Sequence, residues 1–409
     1  MSQTADHDMP RTRRNVAVLA LAQAILGAQM PVNFTVAGLI GQMLAPSPCI
    51  ATLPLSIFIL GSALSARPLA GFMQRHGRRA GFLLACLSAV LGAVISLAGL
   101  WYQSFVLFCL GALLTGVYLA AQGFYRFAAT DTAPPEFQGK AISYVLAAGL
   151  VSALLGALIV RETESLTAVP FMATYGVILL INLAGPVIFA FLDIPKPPAP
   201  ARDAPRGRPL RELMRTPEIA VAMICGTIAY ALMNLVMTST PLAVVGCGFA
   251  TTDAANIVSL HVVAMFLPSF FTGFLIARYG APQVIFVGIA ILAGAALVAL
   301  SGVELAHFYG ALILLGLGWN FGYIGATALL TRSHRPEERE RIQGINDAVV
   351  FGGVFLASLS SGGLMNCLGG SAEQGWNAVN LAMIPLLVLA GGMLIWLRLR
   401  PRENPRTQG

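Results

Sequence analysis

The sequence predicts an all-α membrane protein with twelve transmembrane helices, arranged as two pseudo-symmetric six-helix halves. Of its 409 residues, 57% are hydrophobic and only 11% are charged, whereas a typical soluble domain is roughly 25% charged. The apolar residues form twelve stretches, each close to the roughly 20 residues that a helix needs to cross a bilayer. The second six stretches repeat features of the first, because Arg75-His76-Gly77 recurs as Arg278-Tyr279-Gly280 half a chain length later. Duplicated halves of this kind are a known architecture of membrane proteins.

Windowed hydropathy gives the approximate bounds of the twelve helices. Most of these segments lack the polar face, recurring every 3.6 residues or so, of a helix on a soluble protein. We expect residues 16–192 and 217–398 to form the two halves. The predicted helices are 16–39, 50–72, 80–100, 103–125, 140–160, 170–192, 217–238, 256–277, 282–302, 305–331, 344–365 and 377–398.

The remaining residues are expected to form two tails, 1–15 and 399–409, and a linker, 193–216. The linker contains a Pro-rich run at 195–200 followed by five arginines. A stretch of this composition cannot bury enough apolar area to fold alone. It is typical of a semi-rigid tether between domains.

The basic residues predict the orientation in the membrane. The tails and the even-numbered connections hold nearly all of the 25 Lys and Arg residues, and Arg161 alone lies on the other side. The positive-inside rule therefore predicts that both termini lie in the cytoplasm. The net charge of +7 thus indicates topology rather than a nucleic-acid partner. The first stretch exceeds 20 residues and further spans follow it, so we expect an uncleaved helix rather than a signal peptide.

Several functional classes are disfavoured by what the sequence contains. The six Cys residues are scattered singly, without the spacing of metal ligands, so we expect no metal site. We find no nucleophile–base pair and no phosphate-binding loop, so we expect neither an enzyme nor a cofactor. Cys49, Cys247 and Cys367 fall in the outer loops, where one disulfide can form, although free thiols are the simpler expectation.

Two turns carry a family resemblance. Gln74-Arg75-His76-Gly77-Arg78-Arg79 follows the second helix and Ala277-Arg278-Tyr279-Gly280 follows the eighth. With the two halves and the basic linker, these turns resemble the major facilitator superfamily (MFS), over about residues 15–400. The loop of that family typically reads Gly-x-Leu-Ala-Asp-Arg-x-Gly-Arg-Arg, and Gln74 and Ala277 stand where it has its acid. The resemblance implies the MFS fold and a secondary transporter that works by alternating access.

The resemblance also implies an inner gate near Arg75, Arg78 and Arg278. Because both turns lack the acid, we expect Asp347, near the start of the eleventh helix, to pair with Arg75 or Arg78 when the inner side is closed. An acid near a helix N-terminus also stabilises the helix dipole by about 0.3–1 kcal/mol, and this is the competing role for Asp347.

In the MFS fold, helices one, four, seven and ten line a central cavity, and these four helices carry the mid-span polar and aromatic side chains. Each polar group in hydrocarbon needs a partner or a cavity. For any single residue, a packing hydrogen bond worth about 0.6 kcal/mol is the alternative role. The predicted substrate site consists of Gln29, Asn33, Tyr118, Gln122, Tyr230, Asn234, Trp319, Asn320 and Tyr323.

The chemistry of these side chains indicates the class of substrate. No carboxylate lies near the middle of a predicted span, so a cation is disfavoured. Amides, Tyr hydroxyls and an indole suit a neutral or weakly anionic, planar, hydrogen-bonding molecule. Arg126 and Arg67 could meet an anion, but both lie toward the cytoplasmic end, where long basic side chains reach for the headgroups.

The runs 26–31 and 125–129 resemble poorly characterised bacterial members of the superfamily, some of which carry vitamins, including riboflavin. Riboflavin is therefore one candidate substrate, with uptake favoured. The fifth helix has Ala157 where the Gly-Pro of the drug antiporters of the family would be expected. Drug or metabolite efflux by proton antiport stays open as an alternative, as does a non-transporting receptor or assembly factor with a carrier fold.

His261 is the only His, Asp or Glu well inside a predicted span. Imidazole exchanges protons near neutral pH, so His261 is the predicted proton-coupling residue of a symporter. A buried structural histidine is the alternative, and uniport also stays open. We expect a monomer whose partners are its small-molecule substrate, protons and membrane lipid.

Overall fold

The computed structural model describes residues 9–196, 208–335, 338–368 and 370–400. Parts of the predicted tails (1–8 and 401–409) and the centre of the predicted linker (197–207) lie outside the described residues. Within the described residues, twelve helices are long and apolar enough to cross a membrane, which confirms the predicted fold class of a multi-pass all-α protein. We number them α1 to α12: Met9–Leu44, Leu53–His76, Arg78–Trp101, Phe105–Ala128, Phe137–Thr163, Met172–Ala190, Pro217–Gly246, Thr251–Tyr279, Ala281–Leu300, Leu305–Arg332, Arg341–Cys367 and Ala372–Leu399.

Helices α1 and α8 are interrupted, and in each of them a proline accounts for the interruption. Helix α1 tightens into a 3-10 turn at Leu26–Ala28, just before Pro31. Pro31 has no N–H to donate and its ring crowds the carbonyl of Gly27, one turn earlier. Helix α8 divides at Pro268 into Thr251–Phe266 and Ser269–Tyr279. Helix α1 also begins at Met9, well before the predicted residue 16, because the arginines that precede the apolar stretch are good helix formers.

Ion pairs fix the chain on the side that carries the termini and the even-numbered connections, which we call the basic face. Arg11 and Arg14 contact the carboxylate of Asp193 at 2.7 and 2.9 Å, joining the start of α1 to the end of the first half. The Arg208 guanidinium contacts Glu338 at 2.8 and 2.9 Å. Its hydrogen bonds hold the pKa of Glu338 below the usual range. The end of the linker is thereby attached to the connection between α10 and α11.

The hydrophobic core is divided near the basic face and continuous near the other side of the membrane, which we call the opposite face. One cluster fills the basic-face part of the first half, around Leu19, Phe82 and Phe189. A second cluster runs from the opposite-face part of the first half, at residues such as Val36 and Ile178, through the whole second half. The two halves therefore share a core only toward the opposite face.

Hydrogen bonds between the halves lie in this same region. Ser259 of α8 donates to the Ala153 carbonyl of α5 at 2.7 Å. Helices α2 and α11 meet at their opposite-face ends, where Thr52 donates to the Ser358 carbonyl at 2.9 Å. The segments nearest the basic face, Met9–Ile25 of α1 and Ser269–Tyr279 of α8, pack mainly within their own halves. The molecule is thus closed at the opposite face and open toward the basic face.

A covalent bond also joins the halves at the closed face. Cys49, in the turn before α2, forms a disulfide with Cys367, the last residue of α11, with a Cα–Cα distance of 5.6 Å. The expectation of free thiols is wrong for these two residues, while Cys247 is a free thiol as expected. The hydropathy of each span does not show which loops meet in the folded protein. The pairing of Cys49 with Cys367 could therefore be recognised only from the packing of the two halves.

Candidate functional site

Three of the predicted site residues form a compact aromatic group near the middle of α7 and α10. Trp319 and Tyr323 are one turn apart on α10, so their side chains share a helix face. Their rings stack with centroids 5.4 Å apart and planes inclined by 19°. Tyr230 of α7 stands edge-on to both rings, 5.4 Å from Trp319 and 5.0 Å from Tyr323. The structure brings these three residues together, and their predicted role in binding a substrate stays a prediction.

Two phenylalanines extend the group into what we call the aromatic cluster: Tyr230, Phe266, Trp319, Tyr323 and Phe351. Phe351 of α11 lies 6.2 Å from Tyr230, and Phe266 of α8 lies 6.3 Å from Trp319. The indole N–H of Trp319 is buried and has no hydrogen-bond partner. A buried donor without a partner costs about 1–3 kcal/mol. A ligand that accepts this hydrogen bond would remove the cost.

Opposite charges from the two halves lie at the basic-face mouth of the aromatic cluster. Arg126, near the end of α4, is exposed and lies 4.8 Å from the Phe127 ring. Its positive charge is within electrostatic reach of Tyr230, Tyr323 and Asp347. Asp347 is an exposed residue of α11. Arg126 therefore faces the second half across the open side, rather than only the lipid headgroups.

The predicted amides of α1 are engaged within the first half. Gln29 and Asn182 of α6 exchange two hydrogen bonds, each of 3.1 Å. Asn33 accepts a hydrogen bond from the Tyr175 hydroxyl at 2.9 Å and donates to the Gln29 carbonyl at 2.7 Å. Both side chains are buried. In this conformation they join α1 to α6.

The predicted residues of α4 differ from each other in their surroundings. Tyr118 is buried in the core of the first half, where its hydroxyl is 2.8 Å from that of Tyr125. The side-chain oxygen of Gln122 is buried without a partner. Gln122 packs beside the 3-10 turn of α1, since a Cβ placed on Gly27 would lie 2.9 Å from its Nε2. Gln122 thus keeps an unused acceptor, while Tyr118 does not face the aromatic cluster.

Asn320 holds the broken helix α8 together. Its amide donates to the Met265 carbonyl at 2.6 Å and to the Ser269 hydroxyl at 2.7 Å, and its oxygen accepts from Thr272 at 2.6 Å. These partners lie on both sides of Pro268, where the helix is interrupted. Although Asn320 neighbours Trp319 in sequence, it points to α8. The other predicted amide of the second half, Asn234, accepts from Thr238 at 3.3 Å.

His261 is fully buried between α8 and α10. Its Nδ1 donates to the Leu312 carbonyl at 2.7 Å, because a carbonyl oxygen can only accept. Its Nε2 is buried and has no partner. The ring is therefore held in one orientation with one nitrogen unused.

The predicted gate residues lie apart in this open conformation. Arg78 pairs with Asp131 at 2.8 Å, an acid in the connection between α4 and α5 that is not among the predicted gate residues. Arg75 is exposed and borders a small cavity of about 490 Å³ on α2. Arg278 lies 5.3 Å from the Tyr279 ring. The pairing of Asp347 with Arg75 or Arg78 concerns the conformation closed at the basic face, so it stays a prediction.

Twelve helices in two halves, which are closed together at one face and open at the other, are typical of a membrane transporter. The family model of the Major Facilitator Superfamily matches residues 18–358 and 222–409. The chain therefore belongs to this superfamily, and it is a transporter rather than an enzyme. It is 41% identical over 399 residues to the riboflavin transporter RfnT of Brucella anthropi, covering 97% of this chain and 98% of that protein. It is also 28% identical to YddS of Bacillus subtilis, an uncharacterised MFS-type transporter, over 96% of this chain and 92% of that one.

Solved structures share the fold at low sequence identity. A bacterial homologue of the human lysosomal transporter Spinster, inward-facing and unoccupied, matches with a TM-score of 0.68 and 15% identity, over 95% of this chain and 97% of that chain. The nucleoside transporter NupG matches with a TM-score of 0.64 and 13% identity, over 96% of this chain and 100% of that chain. These likenesses support the fold alone.

The geometry predicts that Asn320 is a structural residue rather than a ligand contact. We expect Asn320→Ala to destabilise the protein by about 1–2 kcal/mol, since interhelical hydrogen bonds in membranes average about 0.6 kcal/mol and three are lost. The measurement is the thermal unfolding midpoint in detergent, with Thr327→Ala as the control, because that exposed hydroxyl bonds only within α10. An unchanged midpoint with weakened substrate binding would reverse the assignment.

Proposed function

We propose that this protein carries riboflavin, or a closely related planar and uncharged heteroaromatic molecule, across the bacterial inner membrane by alternating access. The observation that carries the proposal is the aromatic cluster with its unpartnered indole N–H, in the centre of a transporter. The identity of 41% to a riboflavin transporter over nearly the whole chain supports it.

The chemistry of the flavin ring system fits this site. It is planar and uncharged near neutral pH, so it can stack on aromatic side chains, each contact contributing about 0.5–1.5 kcal/mol beyond the buried area. Its edge carries carbonyl oxygens that can accept from the Trp319 N–H. Arg126 and the carboxylate of Asp347 offer one donor group and one acceptor group for the imide edge.

The proposed direction is uptake, and the basic face is assigned to the cytoplasm by the positive-inside rule. In that orientation the conformation described here releases substrate to the cytoplasm. The opposite face must then open to admit substrate from outside. Closure at the basic face would bring Asp347 toward Arg75 and Arg78.

Riboflavin binding tests the site directly, because aromatic stacking quenches flavin fluorescence. We expect the purified protein to quench riboflavin fluorescence saturably, and Trp319→Leu to raise the Kd about tenfold, equivalent to about 1.4 kcal/mol. The matched control is Trp101→Leu, since Trp101 is 65% exposed at the opposite-face end of α3. Equal weakening by both variants would show that Trp319 is not a specific contact.

Transport must be shown separately from binding. We would reconstitute the protein into proteoliposomes and measure the entry of radiolabelled riboflavin into the lumen. Accumulation is expected for a carrier, whereas saturable binding without luminal uptake would indicate the non-transporting receptor. Displacement of riboflavin by many unrelated hydrophobic compounds, with no selectivity for flavins, would indicate a drug exporter and contradict the proposal.

We propose His261 as the proton-coupling residue, because its Nε2 is buried without a partner and can accept a proton while Nδ1 stays bonded to the Leu312 carbonyl. A proton taken up by Nε2 would lie between α8 and α10, two of the helices that carry the aromatic cluster. We expect His261→Gln to abolish accumulation driven by an imposed pH gradient while keeping downhill exchange. His76→Gln, at the exposed end of α2, is the control. Gradient-driven accumulation that survives in His261→Gln would exclude this role.

We propose that Asp347 stabilises the conformation closed at the basic face, by pairing with Arg75 or Arg78. Asp347→Asn would remove that pair and increase the population described here. The measurement is hydrogen exchange at the opposite-face ends of α2 and α11, in protein whose disulfide has been reduced. We expect slower exchange there than in wild type. Asp253→Asn is the control, because this acid lies at the start of α8 on the opposite face, and faster exchange in Asp347→Asn would contradict the gate.

A further inference from the structure

The disulfide between Cys49 and Cys367 lies across the boundary that a transporter of this fold must open. The two residues are 318 positions apart and belong to different halves of the molecule. Cys49 lies in the short turn Pro48–Ile50 before α2, and Cys367 ends α11. The bond is therefore a covalent link between the two moving bodies, placed at the opposite face.

The bond sits at the end of a row of contacts that closes this face. The Gly362 N–H donates to the Thr52 hydroxyl at 3.0 Å, and the Ser56 and Ser358 hydroxyls are 3.0 Å apart. The amide of Asn366, next to Cys367 in the chain, donates to the Pro48 carbonyl at 2.8 Å. All of these bonds join α2, or the turn before it, to α11.

The close approach of the helices is built into the sequence at one glycine. A Cβ placed on Gly362 would lie 2.6 Å from the Thr52 hydroxyl and 2.9 Å from the Cys49 carbonyl oxygen. Only glycine lets α11 come this near to the start of α2. The two cysteines are thus held together by the closed interface itself, rather than by a flexible loop.

The non-covalent contacts can be exchanged for water when the face opens, but the disulfide cannot. A disulfide keeps its two Cα atoms within about 6.8 Å of each other. Alternating access requires the opposite-face ends of the halves to separate far enough to admit an organic molecule. We propose that the Cys49–Cys367 pair is a redox-controlled lock that holds the oxidised protein closed at the opposite face, and that only the dithiol form completes the transport cycle.

The chemistry of release is thiol–disulfide exchange. A dithiol reductant attacks one sulfur of the bond through its thiolate, forming a mixed disulfide and freeing one cysteine. The second thiol of the reductant then displaces the other cysteine and closes its own disulfide. Two electrons pass to the protein, and Cys49 and Cys367 each take up a proton. With the opposite face outside the cytoplasm, the oxidising surroundings there would favour the locked form.

The lock depends on alternating access and not on the identity of the substrate, so its first test uses no substrate. Purified protein is treated with an oxidant or with dithiothreitol, and its bonding state is measured by mass spectrometry of alkylated peptides. Hydrogen exchange is then followed in segments 47–60 and 355–367. We expect exchange in both segments to be several-fold faster after reduction, because the reduced protein samples the opened face.

Variants separate the lock from a general effect of reductant. We expect Cys49→Ser and Cys367→Ser to show fast exchange without dithiothreitol and no further response to it. Cys247→Ser, which removes a free thiol near the same face, should respond as wild type does. A Cys49→Ser protein with poor folding would leave the oxidised and reduced wild type as the deciding comparison.

Two outcomes would overturn the proposal. One is exchange that stays equally slow in protein whose bond is shown to be reduced. The other is a pair of free thiols at Cys49 and Cys367 after oxidant treatment. In proteoliposomes supplied with external riboflavin, reduction of the disulfide should also raise the rate of riboflavin uptake several-fold. Absence of riboflavin transport in both redox states, together with a redox-dependent exchange rate, would contradict the proposed substrate while leaving the lock intact.

Discussion

The requirement that polar groups be satisfied inside the membrane determines how the polar side chains of this protein are used. A lipid-facing or buried amide with no partner is costly, and three of the predicted site residues of the first half meet the requirement internally. Gln29 pairs with Asn182, Asn33 with Tyr175, and Tyr118 with Tyr125. Asn320 meets it across the break in α8. What is left unsatisfied near the centre, notably the Trp319 N–H and the Gln122 oxygen, is what a ligand could use.

The two halves are related by sequence but differ in function. Tyr118 and Tyr323 occupy equivalent positions in the repeat, since they follow Gly111 and Gly316 at the same spacing. Tyr118 is nevertheless buried in the core of its half, while Tyr323 stacks on Trp319 in the aromatic cluster. The difference follows from their neighbours, because Tyr118 finds a hydroxyl partner in Tyr125. Duplication thus preserved the scaffold, while the aromatic cluster formed in the second half and the facing charge, Arg126, came from the first.

The sequence predicted the positions of the helices well, but it did not show which side of each helix points toward the centre of the molecule. Hydropathy located all twelve helices, since length and apolarity are properties of each segment alone. It could not say which side of a helix faces the centre, so Gln29 and Trp319 looked equally suited to bind a substrate. Asp131 escaped notice because its partner Arg78 is on another connection. The pairing of Cys49 with Cys367 likewise depends on the meeting of two distant helix ends.

The weakness of the individual contacts at the closed face is what makes a carrier of this design reversible. Hydrogen bonds between membrane helices contribute about 0.6 kcal/mol each, so the bonds that Thr52, Ser56 and Asn366 make between the two halves can be given up for comparable bonds elsewhere. A substrate held by Arg126 of one half and Asp347 of the other would supply such a compensation at the basic face, because it draws together the two parts of the molecule that are apart here. In the proposed mechanism, substrate binding and closure are therefore coupled through Asp347, which faces Arg126 across the substrate and pairs with Arg75 or Arg78 when the basic face is closed.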